Sequence, residues 1–356
     1  MIIQFPPFVF SRTTADDPYE QNRPMKRHPF FTSRVVLVAL TLTLIGNPFV
    51  ESFLFAQQVS SVAQQASSVA QQVSSANTVG KQIAILADEA INESSGIVRS
   101  HTNPNCFWTH NDSGDKPRLF LVNRDGKTAA RVGLSKAKAI DWEDIAIHIV
   151  GDDAHLIIGD IGGNTQSRKH VTLYVLREPK LTEDDLNREA TLDLSVDFEI
   201  EMEVPFPGGV TNYESIAVDH SSHSILIVEK GNFSGRVFTV PLPSLPNDKH
   251  KMRVEAKQVG VAPVPMATAC DISADGRSLV IIGYSIGFLF RREISAAGEI
   301  ESWKTALERE PAVFSLGKLR QTEAVCFSDD EKSIFFTSER VQTPIFEIDL
   351  PINPNR

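Results

Sequence analysis

Tyr-Glu-Ser-Ile-Ala-Val-Asp at residues 213–219 and Thr-Glu-Ala-Val-Cys-Phe-Ser at 322–328 share one pattern, an acidic residue at the head of a short apolar strand. Glu-Ser-Ser-Gly-Ile-Val at 93–98 and Asp-Trp-Glu-Asp-Ile-Ala-Ile at 141–147 repeat it. A weaker fifth copy, Thr-Ala-Cys-Asp-Ile-Ser at 268–273, aligns Thr268 with Glu323. Copies that recur every roughly 50 to 70 residues, each followed by further strands, are typical of stacked units that share one core.

The repeats predict an all-β fold, a β-propeller with five blades. The last blade has only three strands ahead of the C-terminus, and we expect a strand at Gln82–Leu86 to complete it, because a closed ring leaves no exposed sheet edges. Six blades remain an alternative if the segment between Glu178 and Val204, or the one between Leu242 and Val261, forms an irregular blade.

Composition limits the kinds of partner. The 356 residues carry a net charge of −10, which argues against nucleic acid and against an anionic membrane surface and is compatible with cations. Cys106, Cys270 and Cys326 are widely spaced, so a structural zinc site is not expected, and we interpret each thiol as a small buried hydrophobe.

Four regions follow one another along the chain. A polar extension covers residues 1–24, and basic residues followed by an apolar run predict a signal peptide or, alternatively, a membrane anchor at 25–56. The repeated Ser-Ser-Val-Ala-Gln-Gln of residues 57–80 is typical of a flexible linker. The propeller domain is predicted at 81–356. Either reading of the signal places that domain outside the cytoplasm, secreted or periplasmic.

Propeller geometry brings the strand heads together. The head of each inner strand and the end of the second strand meet at one mouth of the central tunnel. Carboxylates converging there would repel one another unless a cation lies among them, and calcium suits an open cage of oxygen ligands. The alternative is that these side chains hydrogen-bond the backbone of the neighbouring blade. The predicted metal ligands are Glu93, Glu143, Glu214, Thr268 and Glu323.

Other polar and aromatic residues are expected near the same mouth. Asp160 ends the second strand of blade two and is a candidate catalytic residue, and Lys230 and Arg340 are candidate ligand-binding residues at the ends of other second strands. Trp142 and Tyr213 each precede a ring glutamate and are further candidates to contact a ligand. Packing between blades is the alternative for both rings.

The run of Glu-Ser-Ser-Gly-Ile-Val, His-Asn-Asp-Ser-Gly-Asp, Asp-Trp-Glu-Asp-Ile-Ala and Gly-Asp-Ile-Gly-Gly-Asn resembles that of secreted bacterial β-propeller proteins, mostly uncharacterised. In outline it also resembles the five-bladed calcium-activated nucleotidases, the apyrases. This resemblance covers the chain from about Lys81 onward. It implies that the five predicted ligands surround a calcium ion, and that Asn111 and Asp112 lie near the reacting water.

Two classes of function follow, and the sequence leaves open whether the protein is an enzyme. One is a calcium-dependent hydrolase of phosphoesters or lactones, and the other is a non-catalytic propeller that binds a ligand or protein partner at its mouth. The ligand would be a small molecule or a polymer. We expect no binding to nucleic acid, and no contact with a membrane other than through the alternative N-terminal anchor. The oligomeric state is not predicted.

The N-terminal signal leads to a direct test. We expect the mature protein to be exported and to begin near Gln57, after the small residue Ala56. N-terminal sequencing of the protein from the extracellular or periplasmic fraction checks this. A cytoplasmic protein that retains Met1 would contradict it.

Overall fold

The structure, a computed structural model, describes residues 80–163, 168–245, 250–317, 319 and 321–351. All of them lie within one compact unit, Ser67–Arg356. They form an all-β propeller of five blades, as the sequence repeats predicted. The predicted extension, signal segment and linker lie outside the described residues. Among the residues described, neither of the two helices has the length and apolarity that a membrane crossing requires.

Each blade is a sheet whose strands are arranged one after another outward from the central axis. Blade one contains β2 (Ser94–Arg99), β3 (Cys106–Asn111), β4 (Arg118–Asn123), β5 (Thr128–Ser135) and β9 (Leu192–Asp197). Blade two contains β6 (Trp142–Val150), β7 (Asp153–Asp160), β8 (Val171–Arg177), β10 (Ile200–Val204) and β14 (Lys251–Arg253). Blade three contains β11 (Tyr213–Asp219), β12 (Ser224–Glu229), β13 (Gly235–Pro241) and β15 (Lys257–Ala262).

The last two blades have four strands each. Blade four contains β16 (Ala269–Ile272), β17 (Ser278–Ile282), β18 (Ile286–Arg291) and β19 (Ala312–Ser315). Blade five contains β20 (Thr322–Phe327), β21 (Ser333–Ser338), β22 (Pro344–Asp349) and β1 (Lys81–Ile85). Two short helices, α1 (Glu183–Asn187) and α2 (Trp303–Leu307), lie in the connections.

The first strand closes the ring. β1 pairs antiparallel with β22, so the N-terminal strand of the domain is the outer strand of the last blade. This confirms the predicted closing strand, which the structure places at Lys81–Ile85. The buried side chains of Ala84 and Leu86 belong to the apolar cluster shared by blades five and one. Both ends of the domain are thereby joined in one sheet.

The two segments that could have hidden a sixth blade contribute edge strands instead. β9 pairs in parallel with β5, and β14 pairs in parallel with β10, so each extends an existing blade to five strands. Neither segment reaches the inner ring, where β2, β6, β11, β16 and β20 each pack against the next. Added outer strands cover edges that would otherwise be open to pairing with other chains.

Apolar clusters fill the spaces between neighbouring blades. Blades two and three share one cluster that includes Ile157, Ile216 and Phe238, and blades three and four share another around Leu279 and Trp303. Cys106, Cys270 and Cys326 are buried free thiols within these packed layers, in agreement with their interpretation as small hydrophobes. Burial raises the pKa of the Cys106 thiol to about 11.

Removing β1 should open the ring. A truncation that begins at Ala87 loses a strand of blade five and the buried Ala84 and Leu86, and exposes the edge of β22. We expect insoluble protein or a melting temperature lowered by many degrees, since burying one large aliphatic side chain contributes about 1.5–3 kcal/mol. Thermal denaturation checks this, with a truncation that begins at Gly80 as the matched control. Equal melting temperatures for the two truncations would contradict the closing role of β1.

Candidate functional site

A β-bulge marks the head of the inner strand in four of the five blades. The pairing register skips one residue in β2, β6, β11 and β20, and the skipped residues are Ser95, Glu143, Glu214 and Glu323. In blade four, Thr268 holds the corresponding position, because its N–H donates to the carbonyl oxygen of Ile282 just before β16 pairs. A bulge re-aims the side chain of its extra residue. These five residues define the head ring.

In blade one the register places a residue other than the predicted ligand Glu93 at the bulge. Ser95, and not Glu93, is the blade-one member of the head ring. Glu93 lies two residues earlier and is exposed, and its carbonyl oxygen accepts a hydrogen bond from the N–H of Asp112. All five members of the head ring are buried.

The two hydroxyl members of the head ring join neighbouring blades. The hydroxyl of Ser95 donates to the carbonyl oxygen of Glu143 at 2.7 Å, and that of Thr268 donates to the carbonyl oxygen of Thr322 at 2.7 Å. This is the alternative that the sequence left open for strand-head residues, a hydrogen bond to the next blade. Thr268 was a predicted metal ligand, and its proton is engaged in that bond.

The glutamates of the head ring lie among other acidic groups. Asp112, Asp141 and Glu143 have ligand atoms that all lie within 4.8 Å of one another. Asp112, Glu323 and Glu339 form a second group of the same size. Half-buried Asp112 belongs to both, so the first group, which we call the Asp141 group, and the second, the Glu339 group, meet at one carboxylate. Either group could hold a metal ion.

One oxygen of the Asp141 group receives no hydrogen bond from an N–H or O–H group of the described residues. It is Oε1 of Glu143, a residue that is 1% exposed and whose carboxyl group lies against that of Glu214, within hydrogen-bonding reach when one of the two is protonated. Gly162 lies against it: a Cβ added there would come within 2.1 Å of Glu143 Oε1 and 2.4 Å of Asp141 Oδ2. A larger residue at 162 would therefore require these two carboxylates to move.

Burial and crowding raise the pKa values of these acids. The pKa of Glu143 is well above its ordinary range, first because of burial and then because of the charges of Glu214 and Asp112. Burial and the neighbouring Glu339 raise the pKa of Glu323 to about 9. Burial, with the nearby Asp141, raises that of Asp112 to about 6. The site therefore retains protons that isolated carboxylates would release.

A lysine supplies positive charge on one side of the mouth. Lys230 Nζ lies 3.1 Å from Glu214 Oε2 and 5.3 Å from the ring centroid of Tyr284. Burial alone would lower the pKa of Lys230, but the charge of Glu214 outweighs it and raises the pKa. Asn212 also donates to Glu214 Oε1 at 2.5 Å. Lys230, which was predicted to contact a ligand, is thus the ion-pair partner of Glu214.

Two predicted catalytic residues make several contacts within the fold. Asn111 accepts hydrogen bonds from the N–H groups of Asn92 and Glu93, and its amide nitrogen donates to Ala90 and Asp115. Asp160 accepts from the N–H groups of Ile140 and Asp141 and forms an ion pair with Arg168 at 2.7 Å. These contacts give both residues structural roles in holding the mouth loops.

The two aromatic residues predicted to contact a ligand are buried. Trp142 is 1% exposed, donates from Nε1 to the carbonyl oxygen of Lys138, and meets His110 edge to face. Tyr213 is fully buried and stacks on Phe206 with ring centroids 4.0 Å apart. Both rings therefore make the packing contacts of the alternative interpretation. Arg340 is exposed beside Glu339, and its ligand-binding role stays a prediction.

Asp141, Glu339 and Gly162 were not among the predicted site residues. A signal for Asp141 was present, because it stands two residues before Glu143 and alternate residues of an extended strand share a side. Glu339 directly follows β21, as Asp112 follows β3 and Lys230 follows β12. Its place at the end of a second strand was therefore the sign in the sequence that it lies at the mouth. Nothing in the sequence marked Gly162 beyond its place in a glycine-rich run.

Comparisons with known proteins leave the function of this site open. Neither a family model nor a curated protein sequence matches the chain. Among solved structures, the crystal structure of a nidogen/laminin complex matches with a TM-score of 0.40 and 11% sequence identity, over 70% of this chain and 73% of that chain. At these values the similarity supports no statement about activity or ligands.

The raised pKa values predict that the metal-free protein loses stability as the pH rises. A carboxyl whose pKa is higher in the folded state contributes stability at low pH, and that contribution is lost as the pH rises through the folded-state value. For Asp112 and Glu323 the window runs from about pH 4 to about pH 9. We expect the melting temperature in chelator to fall steadily from pH 5 to pH 9.

A variant tests which group causes that slope. Glu323→Gln removes one titrating group and keeps an oxygen and a hydrogen-bond donor beside Glu339, so the fall between pH 6 and pH 9 should become shallower. Asp115→Asn is the control, because the lowered pKa of Asp115 places its titration below this window. A melting temperature that rises with pH in the wild type would show that the acids are not crowded in solution.

Proposed function

We propose that this chain is an exported propeller that binds a calcium ion and uses the ion to hydrolyse a phosphoester or lactone. The ion would bind at the head mouth, which is the tunnel mouth lined by the head ring and the two acidic groups. One observation carries the proposal: Asp112, a half-buried carboxylate, joins two acidic groups from three blades, and one of those groups contains the buried Oε1 of Glu143, which receives no hydrogen bond from an N–H or O–H group of the described residues. Export rests on the sequence of residues 25–56, which lie outside the described part of the structure.

The ligand chemistry favours a hard cation. The Asp141 group offers carboxylate oxygens alone, and calcium takes six to eight oxygen ligands in flexible geometry. Neutralising the mouth would also remove the repulsion that raises the pKa values of Glu143 and Asp112. Lys230 forms its ion pair with Glu214, and no described lysine or arginine forms one with the Asp141 group.

Different residues of the mouth would have different tasks. Asp112, Asp141 and Glu143 would hold the ion, with the hydroxyls of Ser95 and Thr268 retained in their interblade bonds. A bound calcium ion would supply a polarised water and a Lewis acid for a phosphoryl or carbonyl oxygen. Across Asp112, half-buried Glu339 is placed to accept a proton from water at the mouth. Lys230 adds positive charge beside Glu214.

A non-catalytic binding propeller is the second candidate. The observation that favours it is that Asn111 and Asp160, two of the three predicted catalytic residues, hold neighbouring backbone and side chains through hydrogen bonds and an ion pair. Such a protein would bind a ligand or protein partner at the same mouth, with calcium as a structural element.

Two substitutions test the calcium site. Glu143→Gln and Asp112→Asn each remove a charged ligand, so both should abolish most of the stabilisation by calcium. In the wild type we expect about 2.7 kcal/mol at calcium concentrations a hundredfold above Kd. Thermal denaturation with calcium and with chelator measures the effect. Glu93→Gln is the matched control and should keep the full shift, because Glu93 is exposed and belongs to neither acidic group.

An activity panel separates the two candidate functions. Calcium-loaded wild-type protein is assayed against nucleotides, phosphomonoesters and lactones, with Glu93→Gln and Asp112→Asn in parallel. The hydrolase proposal expects turnover by the wild type and by Glu93→Gln, and little by Asp112→Asn. A folded, calcium-binding wild type with no activity above calcium alone would exclude the hydrolase and leave the binding propeller. An unchanged melting curve in calcium would exclude the metal site itself.

A further inference from the structure

A cavity of about 230 Å³ opens at the other end of the tunnel, where the inner strands end. All five blades line this tail cavity, since it contacts the last residues of β2, β6, β11, β16 and β20 or the turns that follow them. Its apolar surface includes Ile147, Val218 and Ile272. The tail cavity contains no member of the head ring and none of the candidate calcium ligands.

The charged groups around the tail cavity are mostly acidic. Asp271, Asp329 and Glu331 line it, and Arg99 is the one lysine or arginine among its lining residues. Arg99 forms an ion pair with Asp329, and its pKa is lowered by burial. His101 and His220 complete the titratable side chains apart from the Cys326 thiol, and burial lowers the pKa of His220, which keeps that ring neutral at pH 7. The balance therefore favours a positive ligand over a negative one.

Among these charged residues, Asp271 connects two blades. Its Oδ1 accepts the N–H of Ile272 and its Oδ2 accepts the N–H of Phe327, both at 2.8 Å, so the carboxyl group bridges blades four and five. Each oxygen keeps capacity for a second hydrogen bond. The described lysines and arginines form no ion pair with Asp271 that meets the usual distance limit of 4.0 Å. Burial raises the pKa of Asp271 to about 7, and a bound cation would favour its ionised form.

We propose that the tail cavity binds a small organic cation, a primary ammonium group with a short apolar chain, and that Asp271 is its counter-ion. The ammonium group would donate to the free acceptor sites of the Asp271 carboxylate, and the chain would pack on Ile147, Val218 and Ile272. Ligand sites commonly combine an apolar lining with a small number of such polar groups.

Other classes of ligand fit the tail cavity less well. An anion would meet three carboxylates and one arginine that is already paired. A metal ion needs several converging ligands, and the described residues form such groups only at the head mouth. A purely apolar ligand would leave the Asp271 carboxylate buried against hydrocarbon, which is costly without a compensating partner.

Three probes of equal chain length test the charge preference in the wild type. Binding of n-pentylammonium, n-pentanol and n-pentanoate is measured by saturation-transfer NMR and titration calorimetry at pH 8, in chelator. We expect pentylammonium to bind at least about tenfold more tightly than pentanol, and pentanoate not to bind, because charge-assisted hydrogen bonds exceed neutral ones in strength. Equal binding of pentylammonium and pentanol, or preferred binding of pentanoate, would overturn the proposal.

Two variants locate the binding group. Asp271→Asn should weaken pentylammonium binding at least about tenfold. Glu331→Gln makes the same charge change at the rim, where the side chain accepts a hydrogen bond from the N–H of Asp275, and should change affinity less than about threefold. Equal effects of the two variants would contradict the role of Asp271. If Asp271→Asn does not fold, the probe series on the wild type still decides. Glu143→Gln should leave binding unchanged, so this outcome is independent of the calcium proposal.

Discussion

The β-bulge at the head of the inner strands is the constraint on which the site depends. An unbroken strand alternates its side chains between the two faces of the sheet, and in a propeller both faces pack against other blades. One extra residue per strand breaks that alternation and directs a polar side chain away from the packed faces. Glu143, Glu214 and Glu323 occupy these positions in three blades, so the same local defect repeated around the ring creates the acidic mouth.

Concentrating acids in this way has an electrostatic cost that the fold offsets only in part. Lys230 and Asn212 compensate Glu214, and the hydroxyl positions Ser95 and Thr268 lower the number of charges in the head ring. Among the described residues, no lysine or arginine forms an ion pair with Asp112, Asp141 or Glu143. Local imbalance of this kind is typical of functional sites, where the structure maintains charges that stability alone would not favour.

The two ends of the tunnel differ in chemistry although the same strands form both. At the head mouth carboxylates from three blades converge around Asp112, whereas at the tail cavity Asp271 stands among apolar side chains and is held by backbone N–H groups. Between them Asp144 is fully buried and accepts the N–H of Ile216 in the next blade, so polar groups also join the blades along the axis. Closure of the ring by β1 keeps these blade-to-blade distances fixed.

The sequence by itself predicted five blades, with six as an alternative, and the closing strand, because each repeat carries its own strand pattern and an open ring would leave edges unpaired. It also identified Glu143, Glu214 and Glu323 as strand-head residues. Each stands two residues before a buried β-branched residue of its inner strand. Glu93 stands four residues before Ile97, and this different spacing was the available sign that Ser95 is the true equivalent.

Only the tertiary structure decided which acids meet. Asp112 is distant in the chain from both Glu143 and Glu323, and their proximity depends on how three blades pack, which no local pattern encodes. The pairing of Lys230 with Glu214, the burial of Trp142 and Tyr213, and the hydrogen bonds of Asn111 and Asp160 likewise follow from packing. Periodicity along one strand specifies a fold, whereas a site made by several blades is specified by their long-range contacts.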